Sequence, residues 1–249
     1  YRDCNGCYVL GQSPRCGTSE NCGSSSTAPT GLSLRCTTPG KVQNLGTVTM
    51  TRTSIVDITT TCNSAKSRCE QPCNGTFPHG IEKHTFEGTI DVRSKIATGG
   101  CDFEISVRLA VRNVGITTGQ SQQWFYTSCE INACAAPCNS SPKLSNDPVA
   151  ILCCDQPFTF NNGAVDTSDR DSISYSFVKA FQNRGSECTY ATPRTYLDPI
   201  TSYYPPGTGY PQVVPGATPP IGTYLDAVSG DLIFTPTNCS EVAVVVIQM

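Results

Sequence analysis

The 249-residue chain sets 17 basic side chains against 20 acidic ones, a net charge of −3, and only 15% of its residues are charged. A basic nucleic-acid footprint is therefore absent, and no window approaches the roughly 18 unbroken apolar residues of a membrane-crossing helix. Thr, Ser, Gly, Pro and Asn abound instead, a composition of short strands joined by many turns rather than of helices.

Residues 1 to 40 read as loop. "GCYVLGQSPRCGTSENCGSSSTAPTG" is dense in turn formers, and a segment this polar cannot order itself by burial, so disulfides are expected to hold it. Strand patterns follow. "NLGTVTMTRTSIVDITTT" is rich in β-branched residues, with Val48 and Met50 on one face. "CNSAKSRCEQPCNGTFPHG" is a cysteine-clamped loop, with Cys69 and Cys73 as a local pair, and "IEKHTFEGTIDV" reads as a strand in which His84 and Phe86 share a face. In "CDFEISVRLAVRN", Phe103, Ile105, Val107, Leu109 and Val111 alternate with Asp102, Glu104, Ser106, Arg108 and Arg112. Such alternation predicts one buried and one wet face in an antiparallel sheet. "QWFYTSCEINAC" is another strand. No stretch carries a helical period.

"AAPCNSSPKLSNDP", small, polar and punctuated by proline, marks a boundary near residue 135. Beyond it come "VAILCCDQPFTF", the acidic turn "AVDTSDRD" and "SISYSFVKAF". Residues 193 to 221 then hold eight prolines; lacking amide donors, they predict a long exposed loop or edge segment. "GDLIFTPT" and "EVAVVVIQM" close the chain as strands. The last has apolar residues at seven of nine positions and reads as buried on both faces. It stops abruptly, as "YRDCNG" starts. Either the chain is a segment of a longer one, or its end strands complete a sheet in a neighbouring subunit and build a head-to-tail polymer.

The sixteen cysteines, Cys4, Cys7, Cys16, Cys22, Cys36, Cys62, Cys69, Cys73, Cys101, Cys129, Cys134, Cys138, Cys153, Cys154, Cys188 and Cys239, are the strongest compositional signal. Zinc would want repeated close pairs or cysteine with histidine at ligand spacing. Only Cys4 and Cys7 form a Cys-x-x-Cys, and His79 and His84 have no cysteine at such spacing. At least six disulfides, mostly within each half, and an oxidising compartment are expected.

Asp166, Asp169 and Asp171 crowd one turn. They sit too locally to bracket a substrate as catalytic carboxylates. A calcium site supplied by clustered oxygens, with Asp226 and Asp231 adding ligands, competes with an Asp-rich turn whose side chains bond the backbone. His84 reads as a partly buried sheet histidine, since no Gly-x-Ser-x-Gly elbow accompanies it. Tyr203, Tyr204 and Tyr210 could stack on sugar faces or anchor a protein, or pack within their own loop. Asn74, Asn139 and Asn238 head glycosylation sequons.

Several stretches, "YRDCNG", "GIEKHTFEGTI", "VRNVGITT", "CNSSPKLSNDPVAILCCDQPFTFNNGAVDTSDRDSISYSF" and "YLDAVSGDLIFTPT", taken in order, resemble a module of very large secreted cell-surface proteins of the Bacteroidetes. Those proteins carry sandwich and PKD-like repeats and often a gliding-motility-associated sorting domain. The resemblance implies type IX export, an extracellular or cell-surface place, an adhesive or structural role, no enzymatic activity, and Asp171-Ser172-Ile173 as an O-glycosylation pattern. The sorting domain is not in this sequence, and Asp169-Arg170-Asp171 stands where the module has Asp-Gly-Asp.

The expectation is thus an all-β chain of two tandem disulfide-stabilised β-sandwiches of Ig-like or cadherin-like type, residues 1–134 (cysteine-rich) and 135–249. Its expected role is a non-enzymatic stalk, filament or adhesin segment, with a carbohydrate-binding module using the Pro/Tyr loop as the alternative. Partners would be other copies of itself, cell-surface proteins or glycans.

Overall fold

A computed structural model describes residues 2–3, 31–59, 81–110, 112–113, 115–161, 163–168 and 170–249. The chain forms two compact units. Unit 1 is Tyr1–Val114 with Trp124–Cys138, and unit 2 is Gly115–Gln123 with Asn139–Met249. The division after Cys138 lies beside the sequence break near 135; the short piece Gly115–Gln123 joins unit 2 out of sequence order.

Unit 1 holds β1 (Arg2–Asp3), β2 (Gly31–Cys36), β3 (Gln43–Thr49), β4 (Thr51–Asp57), β5 (Ile81–Glu87), a helix α1 (Arg93–Gly99), β6 (Asp102–Leu109) and β7 (Phe125–Asn132). One antiparallel sheet has the order β1-β5-β4, and a second runs β7-β6-β2-β3. The break between β3 and β4 falls at Met50, so one β-branched run serves two sheets. Leu34, Val48 and Phe103 form the core, with Leu32, Met50 and Ile105 packed on it. Their register explains this: Leu34 lies opposite Ile105, Cys36 opposite Phe103, and Leu32 opposite Val48.

The polar face of β6 departs from the expected alternation. Glu104 and Ser106 are buried at 5% and 7% exposure. The Tyr126 hydroxyl, on the neighbouring strand, donates to Glu104 Oε1 at 3.0 Å, and Arg35 lies directly across from Glu104 on β2. A carboxylate can be covered where a donor reaches it, so period-2 polarity here does not mean solvent. Helix α1 is a second departure. Asp91 Oδ1 accepts the Arg93 amide at 2.9 Å and starts the turn, Ile96 packs on the core, and Gly100, at φ 120°, ends it. Seven residues are too few to print a helical period. The Cys101–Cys134 disulfide ties the start of β6 to the end of β7.

Unit 2 is built from shorter pieces: β8 (Lys143–Leu144), β9 (Phe158–Asn161), β10 (Ala164–Val165), β11 (Ser176–Phe177), β12 (Phe181–Asn183), β13 (Ser186–Glu187), β14 (Tyr224–Leu225), β15 (Asp231–Phe234) and β16 (Ile247–Gln248). The orders are β14-β15-β9, β10-β8 and β11-β16, with β12 and β13 forming a hairpin, all antiparallel. Ile200, Leu232 and Phe234 make the core, joined by Phe158, Phe160 and Val245, with Phe158 edge-on to Phe234 at 5.6 Å. Cys154–Cys239 links the two ends of this unit's sequence.

Two expectations change in unit 2. The terminal run is not a strand buried on both faces: only Ile247–Gln248 is strand, residues 243–247 are half-buried, and Val242 and Met249 are exposed. Its pairing is within its own unit, β16 on β11 with the Val178 amide donating to the Val246 carbonyl at 3.0 Å. The proline-rich stretch is not wholly exposed either. Between its prolines, residues 200–203 keep their amides and run beside the extension of β15; Tyr203 N–H donates to the Thr235 carbonyl at 2.8 Å and Thr237 N–H to Thr201 at 3.0 Å. Asp198, Pro199, Ile200 and Ser202 are buried as a result.

The chain is all-β in antiparallel sheets with disulfides, as the composition predicts. Cys129, Cys138 and Cys153 carry no disulfide, unlike the expectation for them. Cys4, Cys7, Cys16, Cys22, Cys62, Cys69 and Cys73, including the Cys69–Cys73 pair, lie outside the described residues. No helix among the described residues is long and apolar enough to cross a membrane.

Candidate functional site

The densest polar chemistry among the described residues sits where the proline-rich segment enters the core of unit 2. A tight turn comes first. Thr195 Oγ1 accepts the Leu197 and Asp198 amides at 3.3 and 3.1 Å, and Arg194 N–H donates to the Ala191 carbonyl at 2.7 Å. This local bonding, typical of threonine in turns, brings Arg194 and Asp198 together at 3.0 Å. Their side chains are only 14% and 5% exposed. Arg194 also donates to the Ile200 carbonyl at 2.6 Å, and Tyr204 Oη donates to Asp198 Oδ1 at 3.1 Å. Beside them Glu241 accepts the Thr201 amide and hydroxyl at 2.7 and 2.6 Å, and the Ser202 and Thr223 hydroxyls meet at 2.6 Å.

Burial raises the Asp198 pKa above the ordinary carboxylate value, Arg194 and the Tyr204 hydrogen bond oppose that rise, and Glu241 adds to it. Burial, then the adjacent Asp198 carboxylate, push the Tyr204 phenol well above its usual range. One cation thus meets a buried carboxylate, and Glu241 stands near enough to that carboxylate to add to its rise. The arrangement clasps the segment to its own unit.

The three sequence-predicted tyrosines separate. Tyr203 and Tyr204 are half-buried, and Tyr204 is bonded to Asp198. Tyr210 is 43% exposed, in a turn closed by the Gln212 amide donating to the Gly209 carbonyl at 3.0 Å.

The acidic turn does not gather its carboxylates around one point among the described residues. Asp166 Oδ1 accepts the Ser168 amide at 3.1 Å, Asp171 is exposed, and Asp169 lies outside the described residues. Asp226 and Asp231 serve their own hairpin. Asp226 Oδ1 accepts the Val228 and Ser229 amides, both at 2.8 Å, and these bonds lower its pKa. Asp231 accepts from Asn161 Nδ2 at 2.7 Å and from the Ser229 hydroxyl at 2.8 Å. Gly230, at φ 76°, lies against the Tyr175 ring, where any side chain would collide. Among the described residues no three His, Cys, Asp or Glu side chains converge as a metal would need.

His84 is half-buried on β5 and stacks on Phe86 with ring centroids 6.5 Å apart; His79 and Asn74 lie outside the described residues, while Asn139 and Asn238 are exposed. Arg194, Asp198 and Glu241 are the residues that sequence reasoning passed over. Arg194 and Asp198 stand four apart between Pro193 and Pro199, a spacing that a solvated loop would show equally. No family model, curated protein or solved structure matches the chain.

Proposed function

We propose that this chain is a non-enzymatic extracellular structural or adhesive protein, a subunit of a cell-surface stalk or filament, built from Ig-like or cadherin-like sandwich modules and akin to the large secreted surface proteins of the Bacteroidetes. Disulfides in both units fit an oxidising, extracellular setting. The observation that carries the reading is β4. It is the edge strand of its sheet among the described residues, all seven of its residues are exposed, and Ile55 and Val56 stand 47% and 50% exposed. An uncovered β-branched edge is a template for another strand, which is how β-augmentation joins extracellular chains. The chain ends offer less: β1 pairs with β5 and β16 with β11, both within the chain.

The test follows from the ladder. Ile58 N–H bonds the Ile81 carbonyl at 2.9 Å, so by alternation Ile55 turns its N–H to the open edge. Ile55→Pro therefore removes an outward donor without removing a bond to β5. The expected result is a folded chain whose self-association, read by light scattering and electron microscopy, is lost. Unchanged assembly would exclude this edge.

A carbohydrate-binding module is the second reading, favoured by the exposed Tyr210 ring on a braced turn. Retention on a polysaccharide column that Tyr210→Ala abolishes would select it.

A further inference from the structure

The piece Gly115–Gln123 belongs to unit 2 although its sequence neighbours on both sides belong to unit 1. It lies in a groove whose walls bond it along two sides, and its last residues, 121–123, form a turn in which Gln123 N–H donates to the Gln120 carbonyl at 3.2 Å. On one side Gln120 N–H donates to the Thr189 carbonyl at 2.8 Å, Ala191 N–H donates to the Thr118 carbonyl at 2.9 Å, and Gly119 bridges Tyr190 in antiparallel fashion. Gln123 adds a side-chain version of the same pairing, Nε2 to the Thr189 carbonyl at 3.1 Å and Oε1 from the Thr189 amide at 2.8 Å. On the other side Thr117 N–H donates to the Val242 carbonyl at 2.9 Å, while Val242 N–H donates to Thr117 Oγ1 at 3.0 Å.

This is how an acceptor sheet edge holds a donated strand: main-chain bonds give the grip and a few side-chain positions give the choice. The choice is made at Gly119, whose absent side chain lets the backbone of Tyr190 and Ala191 come into contact, and at Ile116, Thr118 and Gln120, which are 8%, 1% and 0% exposed. The fit is imperfect. Gln120 sits at φ 64°, in the left-handed region, and neither its amide oxygen nor its amide nitrogen, nor Thr118 Oγ1, meets a hydrogen-bond partner among the described residues. Buried polar groups left without partners weaken the state that buries them.

We propose that this groove is an acceptor for the Gly115–Gln123 segment of a second copy, and that copies become linked when the segment is handed from one chain to another. The segment has every property of the donor, because it already fills the groove. Its two ends both run into unit 1, so it can be passed on without breaking the chain, and the Gln120 side-chain amide and the Thr118 hydroxyl, which meet no partner among the described residues, ease its release. Exchange of identical elements joins protomers with no new surface. This link uses none of β4, so the Ile55→Pro test and the one below fail independently.

The experiment uses two full-length variants. Gly119→Val keeps the groove but cannot donate, since its side chain meets the backbone of Tyr190 and Ala191. Ala191→Pro keeps the donor but removes the amide that grips Thr118. The expected result is a 1:1 heterodimer by native mass spectrometry in the mixture alone, and saturable binding of a fluorescent peptide of residues 113–125 to Gly119→Val. The same peptide carrying Gly119→Val should bind about tenfold or more weakly. A mixture that stays monomeric, with or without peptide binding, overturns the proposal. Should Gly119→Val fail to fold, hydrogen exchange on the unaltered chain decides: the amides of Gln120, Ala191 and Val242 should open together and ahead of β15. Exchange of these amides only on global unfolding would refute release of the segment.

Discussion

Asp198 and Asp226 show how the same side chain is pushed in opposite directions. Asp198 has a raised pKa in the fold, so its contribution is full below the ordinary value near 3.8 and is lost as pH rises through the raised one. At neutral pH Arg194 holds the buried charge. Arg194→Met leaves it uncompensated, a loss of roughly 3–5 kcal/mol for a broken buried pair. That loss should shrink as the medium is acidified, because protonated Asp198 can stay buried without a counter-charge. Melting temperatures of variant and unaltered chain at pH 7 and pH 4 provide the check, and a gap that ignores pH would dismiss the clasp. Asp226 is the reverse case. Its folded pKa is lowered by the Ser229 and Val228 amides, so its contribution is present above about pH 3.8 and fades as pH falls through the depressed value. Asp226→Ala should lower stability near neutrality, with the difference closing in acid; chemical denaturation across pH reads it. Only one of the two roles was legible in advance. An Asp before a turn advertises backbone bonding, as at Asp226, but nothing in "PRTYLDPI" distinguishes a buried ion pair from a solvated loop.

At the scale of elements, legibility followed burial on one face. The alternation in "CDFEISVRL" marks β6 because Phe103 and Ile105 must leave water. Glu104 is silent about its own burial, since the donor that reaches it, Tyr126, and the residue across from it, Arg35, come from other strands. Helix α1 is silent for lack of length, and Gly115–Gln123, polar and glycine-punctuated, shows no element in the sequence because its bonds reach residues far along the chain. The cysteines tell more about compartment than about pairing. Cys101–Cys134 closes a separation of 33 residues and Cys154–Cys239 one of 85. Chain entropy then assigns roughly 3.7 and 4.6 kcal/mol to them. Replacing Cys154 and Cys239 together with Ser should therefore lower the melting temperature of unit 2 more than the matching change at Cys101 and Cys134 lowers that of unit 1, as differential scanning calorimetry can resolve.

For the whole molecule, a chain of many small pieces with little continuous strand in unit 2 relies on cross-connection. The Thr201–Glu241 bonds, the inserted Gly115–Gln123 segment and the Cys154–Cys239 link each join residues distant in sequence. The all-β class was visible because composition is a local property. The interleaving of the two units was not, because it is set by pairing partners and not by any window of sequence. The Cys154–Cys239 bond has a mechanical consequence for a protein proposed to work as a stalk. A pull applied through the two ends of Asn139–Met249 reaches that bond before it reaches the 85-residue span between the two cysteines. While the bond holds, that span bears no tension, and roughly 280–300 Å of contour stays locked away from extension. Load passes through a covalent shortcut, so the unit would yield only by the slack outside it, and would lengthen in full only once reduced.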